Sequence, residues 1–160
     1  MKKKAKKIIL VIVLVITVLL IFIVADEIRA GKNIREDFFE NIEESSKQMD
    51  ELSHKLKSEW KDCTENTSCE INEWYNEFTH KLDNLFIYND LNSLNSLITT
   101  EYNVLKNHSH FINTDGVKEM YANYVSYYDF VTNPNCNYIT FSEKSSTLSN
   151  NLSTSIKVYK

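Results

Sequence analysis

Glu51-Leu-Ser-His54 and Glu77-Phe-Thr-His80 each place a carboxylate and an imidazole three residues apart, so that on a helix both project from one face. In bundle proteins that hold two iron or manganese ions, a Glu and a His at this spacing supply metal ligands. Such ligands must point inward. Here Leu52 and Leu56 mark the apolar stripe around the first motif, and Phe78 and Leu82 that around the second. Both histidines therefore fall at outward positions, on solvated surface. His108 and His110 stand two apart and face different ways on a helix. No metal ligand and no cofactor is expected.

The three cysteines are the next reactive groups. Cys63 and Cys69 flank Thr-Glu-Asn-Thr-Ser, a run of turn and cap residues. In an unbroken helix they would stand about 9 Å apart along the axis, too far to bond, so a bridge requires the chain to turn between them. Three cysteines allow three single bridges; the turn favours Cys63 with Cys69. Cys136 is then left free or paired with another chain. Trp60 and Trp74, on either side of the same loop, are expected to meet at its tip.

Hydrolase and nucleotide-binding signatures are absent: there is no Gly-x-Ser-x-Gly, no phosphate loop and no His-Glu-x-x-His. With two glycines in 160 residues the chain could hardly build a backbone cradle for phosphate. A non-enzymatic role is expected. The densest aromatic stretch, Met120-Tyr-Ala-Asn-Tyr-Val-Ser-Tyr-Tyr-Asp-Phe130, is the candidate partner-contact surface. Tyr121, Tyr124 and Tyr128 share a stripe with Val117 that suits a core. Tyr127 and Phe130 fall on another side, so the helix is aromatic over more of its circumference than one buried face requires.

The elements that position these groups follow from apolar period. Residues 1–7 carry five lysines, residues 8–25 are apolar apart from Thr17, and Asp26 and Glu27 follow. An 18-residue helix is about 27 Å long, close to the ~30 Å hydrocarbon core of a bilayer. Lysine excess on the N-terminal side keeps that end in the cytoplasm and exports residues 26–160. A cleavable signal has the same basic start but a shorter apolar region, and Ala25 is a passable cleavage site. Length favours a retained signal-anchor, with a secreted helical effector or ligand-binding module released by signal peptidase after Ala25 as the alternative.

All 22 acids and 13 of the 18 bases lie beyond Ala25, a net charge of −9 for the exported part. That sign, without a basic stripe, argues against nucleic acid as a partner. The scarcity of glycine and proline predicts long helices. Phe38, Ile42, Met49, Leu52 and Leu56, with Ser45, Glu59 and Cys63 in the intervening steps, predict a first helix from near Asp26 to Cys63. Ile71, Tyr75, Phe78, Leu82 and Leu85 predict a second. A phase change with Asp90 as N-cap opens a third through Leu91, Leu94, Ile98, Leu105 and Ile112. Val117 to Val131 form a fourth, and Phe141, Leu148, Leu152, Ile156 and Tyr159 a fifth in a Ser/Thr-rich background.

The fold expected is all-α: an N-terminal transmembrane helix, then an antiparallel bundle of four or five helices. The function expected is that of a single-pass membrane protein whose acidic extracytoplasmic domain binds or positions an envelope protein as scaffold, accessory or immunity factor. Homodimer formation through Cys136 or the helical stripes belongs to the same reading.

Overall fold

In the computed structural model, residues 2–65, 71–107, 114 and 116–160 are described, with side chains from residue 13 onward and, after the first loop, from residue 73. They form five helices and no strand: α1 (Lys2–Glu65), α2 (Ile71–His80), α3 (Leu82–Asn107), α4 (Val117–Thr132) and α5 (Tyr138–Tyr159). The expected apolar span and first body helix are one continuous helix of 64 residues that runs through Gly31. Its length is about 96 Å. Glycine inside a helix costs roughly 1 kcal/mol relative to alanine, too little to break a helix held on both sides.

Cross-links set the topology. Arg35 donates to the Tyr159 carbonyl at 3.0 Å and Lys57 to Ser146 Oγ at 3.0 Å, so α1 and α5 run antiparallel. Asn41 donates to Glu101 at 2.8 Å and Lys81 pairs with Glu59, which makes α1 and α3 antiparallel as well. Tyr124 and Tyr128 of α4 reach Asn95 and Asn92 of α3. At the two ends of the α4/α5 pair, Tyr159 donates to Glu119 at 2.8 Å and Phe130 stacks on Phe141 at 5.3 Å. The body is thus an up-down-up-down bundle of α1, α3, α4 and α5, with α2 as a short lead into α3. Among the described residues α3 and α5 do not approach each other, whereas α1 packs against α3, α4 and α5. The cross-section is a rhombus, with α1 and α4 across its short diagonal.

The core follows the α1 stripe as read from the sequence through Phe38, Ile42, Ser45, Met49, Leu52 and Leu56. At the next step Trp60, not Glu59, turns inward, because burying an indole releases far more apolar surface than burying a carboxylate does. Two boundaries differ from expectation. The break falls at Lys81, and Asp90 lies exposed inside an unbroken α3. At the break the Lys81 N–H is shared between the Glu77 and Phe78 carbonyls. The buried Asn84 amide donates to the Phe78 carbonyl at 2.8 Å. This kink rotates α3, so Leu82 and Leu85, expected on the buried stripe, are 71% and 41% exposed.

Gly116 precedes α4 with φ 77°, and a Cβ built there would lie 2.0 Å from the Tyr159 ring. Gly116→Ala should therefore cost about 1–3 kcal/mol, left-handed strain and displacement of the tyrosine together. Chemical denaturation would measure it. Combining it with Tyr159→Ala should recover the steric part.

Candidate functional site

The two Glu-x-x-His units are not brought together. Glu51, His54, Glu77 and His80 are all exposed, and His80 Nδ1 lies 2.7 Å from the Asn76 carbonyl of its own helix. Among the described residues no group of three or more His, Cys, Asp or Glu is placed to hold a metal ion. His108 and His110 lie outside the described residues. Cys63 is buried at the end of α1 and engaged in a disulfide; Cys69, its expected partner, lies outside the described residues. Cys136 is a free, half-buried thiol. Burial raises its pKa, and the nearby Lys144 ammonium opposes that shift.

The aromatic run of α4 is committed mostly to holding the bundle. Tyr124 and Tyr127 are buried, while Tyr121, Tyr128 and Phe130 are half-buried. Tyr121 stacks on Tyr102 with centroids 3.9 Å apart, its hydroxyl 3.2 Å from that of Thr99. Tyr128 donates to Asn92 at 2.6 Å and Tyr127 to Asp50 of α1 at 2.7 Å. The stripe of Tyr121, Tyr124 and Tyr128 shares the interior with Met120 and with Tyr127, the latter expected on another side of the helix. Because α4 sits across the short diagonal from α1 and between α3 and α5, its covered arc is wide.

Burial pushes the Tyr127 phenol well above the usual tyrosine range, and the Asp50 carboxylate adds to this; burial does the same for Tyr124. A raised folded-state pKa means stability that is complete below the unfolded value of 10.0 and declines as pH rises past it. Unfolding between about pH 10 and 12 should accordingly be steeper for the wild type than for Tyr127→Phe, as followed by circular dichroism.

Phe130 alone of the five lines an open groove of about 860 Å³ bordered by Ser126, Asp129, Asn133, Cys136 and Lys144. The Lys144 ammonium sits 4.9 Å from the Phe130 ring centroid. Asn137 caps α5 by accepting from the Thr140 N–H at 2.9 Å, which sets the loop between the two helices. A second, more apolar pocket of about 610 Å³ is lined by Trp60, Thr64, Cys136, Tyr138 and Ile139. Cys136 contributes to both, and Ile139 is 67% exposed.

Behind these pockets an aromatic plug closes the end of the bundle. Trp60 lies 5.5 Å from both Trp74 and Phe141, and Trp74 lies 5.7 Å from Phe78. The groove is lined mainly by polar groups, Asp129 and Lys144 among them, whereas the second pocket has mostly apolar walls with the Thr64 hydroxyl and Asn137 amide beside them. Sequence reading singled out Phe130 and Cys136 but missed Ile139, whose only signal was an apolar side chain one residue past the start of α5.

At the opposite end, α1 leaves the body as a rod. Every residue from Val13 to Ala25 is exposed, the large apolar ones by 40–64%. Thr17, the one hydroxyl, bonds back to the Val13 carbonyl at 2.9 Å. Among the described residues no helix is long and apolar enough to cross a membrane. The first five residues of the expected span, 8–12, have side chains outside those described. No family model, curated protein or solved structure matches the chain.

Proposed function

We propose that residues 8–25 anchor the chain in a membrane and that the acidic helical body binds or positions another protein of the cell envelope, without catalysis. The observation that carries this reading is the rod: apolar side chains exposed on every side of a helix, with its only hydroxyl bonded internally. Water is a poor solvent for such a surface and hydrocarbon a good one. Five lysines on one side and acids on the other set the N-terminus in the cytoplasm and the body outside. The helix continues through Ala25, which offers a peptidase no extended segment to cleave and supports a retained anchor over a secreted form.

Protease added to intact protoplasts should digest the body and spare the lysine end. Protection of the body until lysis would refute the orientation, and a mature chain beginning at Asp26 would establish the secreted form instead.

The partner-binding end proposed is the one farthest from the rod, where Phe130, Cys136 and Ile139 line adjoining pockets. Asp129 and Lys144, one charge of each sign, border the groove, and among the described residues the adjoining pocket is lined by no acid or base. A photo-crosslinking side chain at Ile139 should capture that partner in native membranes, and Phe130→Ala should reduce the yield at least about tenfold, the loss expected for a hot-spot aromatic.

The bridge proposed at this end joins Cys63 to Cys69. Closing so short a loop stabilises the fold by about 2 kcal/mol. Cys63→Ser should lower stability by that amount, and a non-reducing peptide map should show the Cys63 and Cys69 peptides linked.

A further inference from the structure

Among the described residues outside the rod, six large apolar side chains are markedly exposed, and four of them, Leu82, Leu85, Phe86 and Leu97, lie on α3. At 100° per residue Leu82, Phe86, Asn89, Ser93 and Leu97 fall within one narrow arc, and all are exposed. That arc has no ionisable side chain, although the exported body carries 22 acids and 13 bases. Between Asn84 and Leu105 the only charges are Asp90, at the edge of the arc, and Glu101, held by Asn41 on the α1 side. Depletion of charge with exposed aliphatic and aromatic groups is the composition of an interface core.

The hydroxyls along the seam are already satisfied from within. Ser93, Ser96 and Thr100 each donate to the carbonyl four residues earlier at 2.8–3.0 Å. Covering them with another surface therefore strands no donor, and their small size lets a second backbone approach closely.

We propose that this seam is where two copies of the chain pair, α3 against α3, in parallel. Charge permits a second copy here. A body of net −9 repels its own copy through its acidic faces, and a seam without ionisable side chains is free of that repulsion. Symmetry selects the geometry. A twofold axis parallel to α3 sets each residue of the seam opposite its own copy, so that Asn89 meets Asn89 near the middle. Paired side-chain amides at that position are the device that fixes parallel register and a two-stranded state in coiled coils.

Because α3 runs antiparallel to α1, parallel α3 helices send both rods out of the same end. That matches two anchors in one membrane, a point that rests on the anchored reading; the neutral seam does not.

The test uses the full chain with Cys136→Ser, solubilised in mild detergent. Asn89→Cys and Ser93→Cys should each give a covalent dimer on gentle oxidation, whereas Glu51→Cys, exposed on α1, should not. Phe86→Glu buries like charges at the axis and should raise the dimer dissociation constant about 100-fold or more, read by analytical ultracentrifugation with helicity unchanged. Leu97→Glu, at the far end of the seam, serves as the second variant should the first lose helicity.

A monomeric wild type at micromolar concentration would overturn the proposal. So would a dimer indifferent to both charges, or a Ser93→Cys product in native membranes that contains a different protein. Loss of the anchor would appear in the protease experiment and leave the detergent dimer intact.

Discussion

Ile16→Lys combined with Leu20→Lys should release the protein from the membrane fraction into the soluble one on alkaline carbonate extraction. Both positions lie near the middle of residues 8–25 and on one face of the rod, and both side chains are more than half exposed. Each lysine at the centre of a spanning helix costs about 2.5–3.5 kcal/mol, so the pair opposes insertion by roughly 6 kcal/mol, four orders of magnitude in the equilibrium. Ile16→Leu with Leu20→Ile keeps the apolarity and should stay in the pellet. The body is remote from the change and should keep its helicity. A double-lysine variant that still sediments with the membrane, like wild type, would remove the basis of the anchored reading.

The second large effect is in the aromatic plug. Trp60 is 4% exposed and touches Trp74, Tyr138 and Phe141, so Trp60→Ala should destabilise the body by about 3–5 kcal/mol. Its indole N–H is buried without a hydrogen-bond partner among the described residues, which removes part of the stabilisation that the ring's burial provides. Trp60→Phe deletes that orphaned donor along with some volume and should cost no more than about 1–1.5 kcal/mol. Urea denaturation of the two variants would show a clear gap. Equal losses for both would mean that the indole nitrogen has a partner in solution.

The pairing of helices rests on many modest contacts. Of the ion pairs, Glu43 with Lys160 and Glu59 with Lys81 tie separate helices, whereas Lys47, Lys55 and Lys61 bond to acids one turn away on α1. Exposed pairs contribute little each. Orientation within the bundle comes instead from tyrosine hydroxyls that reach across it: Tyr127 to Asp50, Tyr124 to Asn95, Tyr75 to the Thr132 carbonyl. Each carries a ring into the interior and ends on a polar group of another helix, so burial and register come from one side chain.

Apolar period by itself determined that the described chain is helical, that Phe38, Ile42, Met49, Leu52 and Leu56 face inward on one long helix, and that His54 and His80 face outward. Composition marked residues 8–25 as a surface that water does not favour. These are properties of single helices, and one helix's residues suffice to read them.

What required the tertiary structure was every property that depends on how many neighbours a helix has. Tyr127 is core and not surface because α4 faces α1 across the short diagonal. Leu82 and Leu85 are exposed because the kink at Lys81 turns α3 until Asn84 points inward. Cys136 and Ile139 share a pocket with Trp60 only because α5 returns antiparallel along α1. Periodicity assigns one buried face per helix, whereas packing in a rhombus gives the central pair more than one and the outer pair less, and no pattern local to a helix encodes that difference.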